Sequence, residues 1–362
     1  MRPGGAERVS LHLAREFLAR GYAVDVLLMT ARGELLAELP DQVRVVDFAA
    51  SRLRGVLLPL RRYLHAERPA ALLALMWPIT VIALLASMTT RAGTRIVVSD
   101  HNVVSLSGTA SGPVSRWLLK ITMRWLYPRA DAIVAVSHGV ADDMAAHTGL
   151  PARLIASIHN PATRGSLPVP LPSDDAVGGW RQPGYQRVIT VGTLKPEKDQ
   201  RTLLAAFAKL RKRIPVKLLI LGEGSLRADL ERYAQELGVA ADVSLPGFAP
   251  DPYPYYLAAD LFVLSSTEEG FGNVLVEAME CGLPVVSTDC VAGPSEILDR
   301  GRHGRLVPVG DSDALAAAMQ AALEEPPDRE ALRARAQDFS IARSAQQYLT
   351  LLLPQQHHHG GA

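Results

Sequence analysis

Ser265-Ser-Thr-Glu-Glu-Gly-Phe-Gly-Asn-Val-Leu-Val-Glu-Ala-Met-Glu280 follows directly on an apolar run, Leu261–Leu264. That run has the length and composition of a buried strand. Gly270 and Gly272 let the backbone turn tightly and approach a ligand. Asn273 is a good N-cap residue, so the spacing predicts a helix over Asn273–Glu280. The start of such a helix offers unpaired N–H groups and the positive end of its dipole, together an anion site. Glu269 stands before the glycines, and Glu277 lies about one turn into the helix. Two acceptors flanking an N–H cradle suit a ligand with hydroxyls at both ends and phosphates between, which describes a nucleotide sugar. Either glutamate alone reads as an ordinary loop or helix residue.

The same strand–loop–helix order repeats around this stretch. Strands are expected at Val188–Val191, Lys217–Leu221, Val243–Leu245 and Val285–Ser287, with helices at Gln200–Lys212, Ser225–Leu237 and Asp313–Glu324. An earlier alternation has strands at Val24–Met29, Val43–Phe48, Ala71–Met76, Arg95–Ser99 and Ala132–Val136, with helices at Ala6–Arg20 and Ile79–Ser87. Such alternation predicts α/β doubly wound units, each a parallel sheet covered by helices on both faces. A proline-rich polar stretch, Leu167–Asp175, reads as the linker between them. The expected domains are 1–165 and 166–338, with a closing helix over 339–353 packing back toward the first domain and a polar tail over 354–362. Two open α/β domains suggest a ligand cleft between them, with ligands beyond the carboxyl ends of the strands.

Composition excludes several classes. The 362 residues are 48% hydrophobic and 21% charged, and the net charge is +1. Disorder needs low hydrophobicity and high net charge. A nucleic-acid binder usually shows a basic excess, so no nucleic-acid partner is expected. The total hides an asymmetry: residues 1–165 hold 19 Lys/Arg against 12 Asp/Glu, and the remainder holds 19 against 25. The basic half suits an anionic membrane surface. Cys281 and Cys290 cannot form a disulfide framework and suit a reducing compartment. No secretory signal opens the chain. Ala70–Met88 is a charge-free run near the length of a membrane span, but Pro78 divides it into a strand-like and a helix-like half.

The frame E-G-F-G-N-V-L-V-E-A-M resembles the retaining glycosyltransferases of family 4, which have the GT-B fold. The resemblance extends along nearly the whole chain. It takes in Gly4-Gly5-Ala6-Glu7-Arg8-Val9, Ser99-Asp100-His101-Asn102, Val136-Ser137-His138-Gly139-Val140, His159-Asn160-Pro161, Leu245-Pro-Gly-Phe248 and Cys281-Gly-Leu-Pro-Val-Val-Ser-Thr-Asp289. It implies a GT-B enzyme that moves a hexose or N-acetylhexosamine from a nucleotide sugar, UDP-linked, to a lipid-linked glycan or similar cell-envelope acceptor, with retention. It implies that Glu277 binds the nucleotide ribose and Glu269 the donor sugar. The backbone from Gly270 through Phe271, Gly272 and Asn273 to Val274 would hold sugar and phosphate. Gly247 and Phe248 would lie near the base, and Gly4 and Gly5 would form the glycine loop of the donor site. Gly222-Glu-Gly224 reads as a turn bordering the base pocket.

A second anion site is Val191-Gly-Thr-Leu-Lys-Pro-Glu-Lys-Asp199, again between a strand and a helix. Lys198 is placed to offset diphosphate charge as the leaving-group bond breaks. Thr193 stands where the family commonly has Arg, with Lys195 the nearest substitute; solvated lysines are the plain alternative. His101 ends its strand and, by the resemblance, contacts the acceptor side or the transition state. The leaving diphosphate itself would take the acceptor proton, with Glu269 a stabilising group. No Asp-x-Asp metal motif is recognised, and no metal or other cofactor is expected.

In Ser111–Arg129, Arg116, Lys120 and Arg124 recur at four-residue spacing beside Trp117, Leu118, Ile121 and Trp125. This suits either an interfacial helix on an anionic bilayer or a core helix with a charged outer face. The expected location is cytoplasmic, peripheral on the inner face of the membrane. One element is missing: Ala6–Arg20 is a crossover helix with no strand before it, so the N-terminal sheet is expected to lack its first, central strand. That gap and Thr193 leave open an inert nucleotide-sugar-binding protein, and the same fold also serves sugar-nucleotide epimerases.

Overall fold

The computed structural model describes residues 4–106, 112–165, 177, 179–325 and 328–354. The expected linker at Leu167–Asp175, Met1–Pro3, Ser111 and the tail from residue 355 lie outside these. The chain forms two units. One runs to Pro161 and resumes at Ile341, and the other is Ala162–Ser340. The division thus falls at 161/162 rather than 165/166, and the last helix belongs with the first unit.

The first unit opens with α1 (Gly5–Ala19) and two paired parallel strands, β1 (Asp25–Leu28) and β2 (Arg44–Asp47). Next come α2 (Leu57–Glu67), β3 (Ala71–Leu75), α3 (Ile79–Met88), β4 (Arg95–Asp100), α4 (Pro113–Leu126), β5 (Ala132–Ala135), α5 (His138–Thr148) and β6 (Ile155–Ser157). Strands β3 to β6 form a parallel sheet in chain order, separate from β1–β2. Strand β4 is almost wholly buried, whereas β1 is only half-buried along its length and β3 nearly so. An unpaired edge has no neighbour to cover it.

Valines in β4 and β5 (Val97, Val134) meet Val9 and Leu13 of α1 and Tyr348 of the closing helix in one apolar core. The Tyr348 hydroxyl lies 3.0 Å from Ser99 Oγ, and Arg95 Nε donates to the Leu351 carbonyl at 2.6 Å. The apolar run 70–88 is β3 and α3 with a turn between, and no helix among the described residues is long and apolar enough to cross a membrane. Helix α2 was not anticipated. Leu60 and Leu64, buried at four-residue spacing, anchor it, but its arginines drew the sequence reading to charge.

The second unit is one six-stranded parallel sheet. Its elements are β7 (Gln186–Val191), α6 (Gln200–Arg211), β8 (Val216–Leu221), α7 (Arg227–Glu236), β9 (Val243–Gly247), α8 (Tyr253–Ala258), β10 (Leu261–Leu264), α9 (Asn273–Glu280), β11 (Val285–Thr288), α10 (Pro294–Ile297), β12 (Arg305–Val307), α11 (Ser312–Glu324) and α12 (Arg329–Gln337). The final helix, α13 (Ile341–Leu352), returns to the first unit. The strand order is β12-β11-β10-β7-β8-β9. The first strand, β7, sits inside the sheet, and the order reverses on either side of it. In open sheets the crevice for ligands opens beyond the strand ends at such a switch point.

Candidate functional site

Two loops meet beyond β7 and β10. These strands are sheet neighbours though far apart in sequence. The turn after β7 is a short 3-10 helix, Pro196–Lys198, and Asp199 caps α6 through a bond from Thr202 N. Ser265 Oγ donates to the Lys198 carbonyl at 2.8 Å, and Thr267 N to the Glu197 carbonyl at 2.9 Å. Thr288 Oγ1 at the end of β11 donates to the Ser266 carbonyl at 2.6 Å. Three strand ends thereby fix one loop.

That loop carries Glu269. Lys198 Nζ donates to Glu269 Oε1 at 2.5 Å, and Ser266 Oγ donates to the same oxygen at 2.7 Å. The two charged side chains are only 20% and 10% exposed, so Lys198 is not a solvated surface lysine. Lys195, the expected substitute for the missing Arg, is half-exposed and leans toward Glu197 at 3.4 Å. Thr193 is exposed, and its carbonyl accepts from Gln200 Nε2.

The glycines after Glu269 act through backbone. Gly272 has φ +103° and is itself the N-cap of α9, so Asn273 is the first helical residue rather than the cap. The left-handed conformation suits Gly, which ends the loop one residue before the expected cap. Phe271 is buried, its ring edge-on to that of Phe339. Gly293 holds this loop from behind: a Cβ there would lie 1.8 Å from the Phe271 carbonyl oxygen. Asn273 and Val274 open α9, where first-turn N–H groups and the dipole favour an anion.

Glu277 lies one turn further on. The buried Tyr256 hydroxyl donates to its Oε2 at 3.0 Å. Burial, then the Glu277 charge, push the Tyr256 phenol far above its ordinary range, so it remains a donor at all physiological pH. Glu280, three residues on, is structural. It is buried and accepts from Tyr253 Oη, Arg164 N and Gly165 N.

On the other side of β7, the ends of β7, β8 and β9 are stitched by Gly192 N to the Leu221 carbonyl and Gly222 N to the Gly247 carbonyl, both 2.9 Å. A Cβ on Gly222 would lie 1.9 Å from the Gly192 carbonyl oxygen, and one on Gly224 would lie 2.2 Å from that of Leu194. The G-x-G is thus required by backbone packing. Gly247 has φ +103° beside Glu223, and Phe248 projects with 43% exposure.

The remaining candidates belong to the first unit. Gly4 caps α1 and Gly5 begins it, with open space where a Gly5 Cβ would stand. His101 follows β4, buried, and among the described residues neither ring nitrogen has a hydrogen-bond partner. Burial holds its pKa down at about 4, so the ring is neutral at pH 7. An unmet buried polar group costs free energy unless a ligand satisfies it. Beside it, Asp100 accepts from Tyr127 Oη at 2.5 Å and Trp77 N at 3.1 Å, and burial pushes its carboxyl up to about 6.

One correction concerns metal spacing. Asp311-Ser312-Asp313 is an Asp-x-Asp triplet, overlooked in the sequence. It caps α11, Asp311 Oδ1 accepting from Asp313 N and Ala314 N, and Asp313 pairs with Lys209. Sequence reasoning also missed Ser266, Tyr256 and Gly293. Ser266 adjoins the quoted motif. Tyr256 lies in Pro252-Tyr-Pro-Tyr-Tyr256, whose prolines masked a short helix.

Comparison with known proteins gives two family matches. Residues 3–163 match the family described as Glycosyltransferase Family 4, and residues 180–339 that described as Glycosyl transferases group 1. The chain is 30% identical over 278 residues to the N-acetylgalactosamine-N,N'-diacetylbacillosaminyl-diphospho-undecaprenol 4-alpha-N-acetylgalactosaminyltransferase of Campylobacter jejuni, covering 74% of this chain and 73% of that protein. It is 26% identical over 356 residues to the lipopolysaccharide core biosynthesis glycosyltransferase LpsE of Rhizobium meliloti, covering 96% and 94%. Among solved structures, Anabaena HepE in complex with UDP and glucose superposes with a TM-score of 0.80 at 23% identity, covering 97% and 96%. The fold is GT-B, built of two Rossmann-like domains.

Proposed function

The chain belongs to glycosyltransferase family 4, and on that premise we propose that it transfers a hexose or N-acetylhexosamine from a UDP-linked sugar to a lipid-linked cell-envelope glycan, with retention. The named activities of the Campylobacter and Rhizobium relatives support the acceptor class. The observation that carries the donor reading is the meeting of Lys198 and Glu269 beside the start of α9.

In this reading the donor diphosphate lies at the α9 N-terminus and Lys198. Glu277, held by Tyr256, accepts from the ribose hydroxyls. Gly247 and Phe248 border the base, and Glu269 with the Gly270–Val274 backbone holds the sugar. Gly4 and Gly5, at the start of α1, remain the candidate glycine loop of the first unit. As the bond from the anomeric carbon to diphosphate oxygen breaks, negative charge grows on the leaving group. Lys198 and the helix dipole stabilise it, an effect strongest where little reorganisation is required. The acceptor hydroxyl attacks from the same face, and its proton passes to the departing diphosphate oxygen. His101, neutral and with both nitrogens unpartnered among the described residues, offers one donor and one acceptor to the acceptor sugar. No resident metal is assigned a step. The basic first unit works at the inner face of the cytoplasmic membrane.

The test is a panel of nucleotide sugars. UDP-sugars raise the apparent stability in a thermal-shift assay. With polyprenyl-diphosphate-linked acceptor, one of them yields UDP and an extended lipid, and Glu269→Ala abolishes both. If no nucleotide sugar binds, the reading fails. If one binds and no acceptor is extended, the inert-protein alternative takes its place.

A further inference from the structure

Helix α4 presents three different faces. Leu119 and Met123 are buried and seat it on the first unit, and the Trp77 indole donates to Thr122 Oγ1 at 3.1 Å. Away from that face, Trp117 and Trp125 are 59% and 62% exposed, and Val114 and Leu118 also stand out in solvent. At about 100° per residue these four and Ile121 share one stripe about 100° wide. Arg116, Lys120 and Arg124, all exposed, line one border of the stripe. The helix contains no acidic residue.

We propose that α4 is a membrane-docking helix that sets its tryptophan stripe into the interface of an anionic bilayer. Contiguous exposed apolar surface on a folded protein marks an interaction site. Its chemistry here selects lipid. Tryptophan rings settle at headgroup level, and a basic row beside an apolar stripe is the pattern of an interfacial helix. The charge of residues 1–165, 19 Lys/Arg against 12 Asp/Glu, has the sign that anionic headgroups attract. Of the two readings the sequence left open, a core helix would bury its tryptophans; this one does not. Helix α4 is the next helix after β4 and His101 in the chain, so docking would bring the bilayer to the unit that we assign to the acceptor. The inference rests on the lipid-linked acceptor only for its purpose; the docking itself is tested without acceptor.

The full chain is mixed with vesicles of phosphatidylcholine with and without phosphatidylglycerol, and binding is read by co-sedimentation and by quenching with brominated lipid. Trp180 is fully buried, so quenching reports chiefly on the exposed tryptophans. The expected result is binding that needs phosphatidylglycerol. Trp117→Ala/Trp125→Ala weakens it at least about tenfold, and Lys120→Gln and Arg124→Gln each weaken it about fivefold. Both sets retain wild-type circular dichroism, UDP binding and transfer to a water-soluble acceptor. Absence of vesicle binding by the wild type, or equal binding by the tryptophan variant, overturns the proposal. So does a wild-type dimer that the tryptophan variant dissolves, since the stripe would then serve a second copy. If vesicles bind but no lipid-linked acceptor is extended, docking stands and the acceptor reading falls.

Discussion

Lys198 and Glu269, 71 residues apart in the chain, form an ion pair of 2.5 Å at the carboxyl ends of two neighbouring strands. Neither residue reaches the other through local structure. The pair exists because β10 lies against β7, and because Ser265 and Thr267 bond back to the turn that carries Lys198. The cation and the anion are both largely desolvated and lie close to the N-terminus of α9. In the proposed reading the diphosphate would take the lysine, and the sugar hydroxyls the carboxylate.

Lys198→Ala removes the cation that the proposed mechanism sets at the leaving group and leaves Glu269 with less compensation. We expect kcat to fall by about 10²–10³, with a smaller change in the affinity for UDP. Steady-state kinetics with the cognate donor, beside calorimetric titration with UDP, separates the two effects.

Tyr256→Phe deletes one hydroxyl from a buried ring and frees Glu277 Oε2 from its donor. Loss of a hydrogen bond to a charged group is worth about 1.5 kcal/mol. UDP affinity should weaken about tenfold, with kcat at saturating donor nearly unchanged. A variant with wild-type UDP affinity would remove Tyr256 from the positioning of Glu277.

Gly293→Ala places a methyl within 1.8 Å of the Phe271 carbonyl and at φ +89°. Strain of this kind costs at least about 2 kcal/mol, and the loop it displaces is the proposed donor cradle. The variant should lower Tm and raise KM for donor together. Gly21→Ala, also at positive φ but with open space about it, should lower Tm less and leave KM alone.

Stability between pH 4 and 6.5 is a balance of opposite terms in the first unit. His101 has its folded pKa lowered to about 4, so the unfolded chain binds more protons there and stability falls as pH drops through this window. Asp100 has its folded pKa raised to about 6, so the folded chain binds more protons and stability rises as pH drops from 6 toward 4. Asp100→Asn removes the second term. Its Tm should fall more steeply on acidification than that of wild type, by the equivalent of about 2 kcal/mol. An unchanged pH slope would contradict the assignment.

Much of this was legible in the sequence. Apolar runs such as Leu261–Leu264 and Val285–Ser287 identified strands because buried parallel strands are continuously apolar. Three-residue strands such as β6 and β12 are too short to show a pattern. Gly272 and Asn273 both favour a helix start, and only the backbone angle shows which is the cap. Glu269 and Lys198 were each singled out, but their pairing depends on strand order, which periodicity does not encode. Tyr256 and Gly293 support the site from beneath, and nothing in their own sequence neighbourhood points to the glutamate or carbonyl they hold.

The divided sheet of the first unit makes its own prediction. Hydrogen exchange should be slowest in β4 and β5, which pair on both edges, and faster in β1 and β3, each paired on one edge only. Equal protection in all four strands would show that the edges are covered in solution.

The central claim is retaining transfer from a UDP-sugar, and the configuration of the new bond tests it most directly. Proton NMR of the lipid-linked product should show the anomeric configuration of the donor, with one UDP released for each bond formed. An inverted anomeric centre, or a donor left intact while bound, would contradict the account.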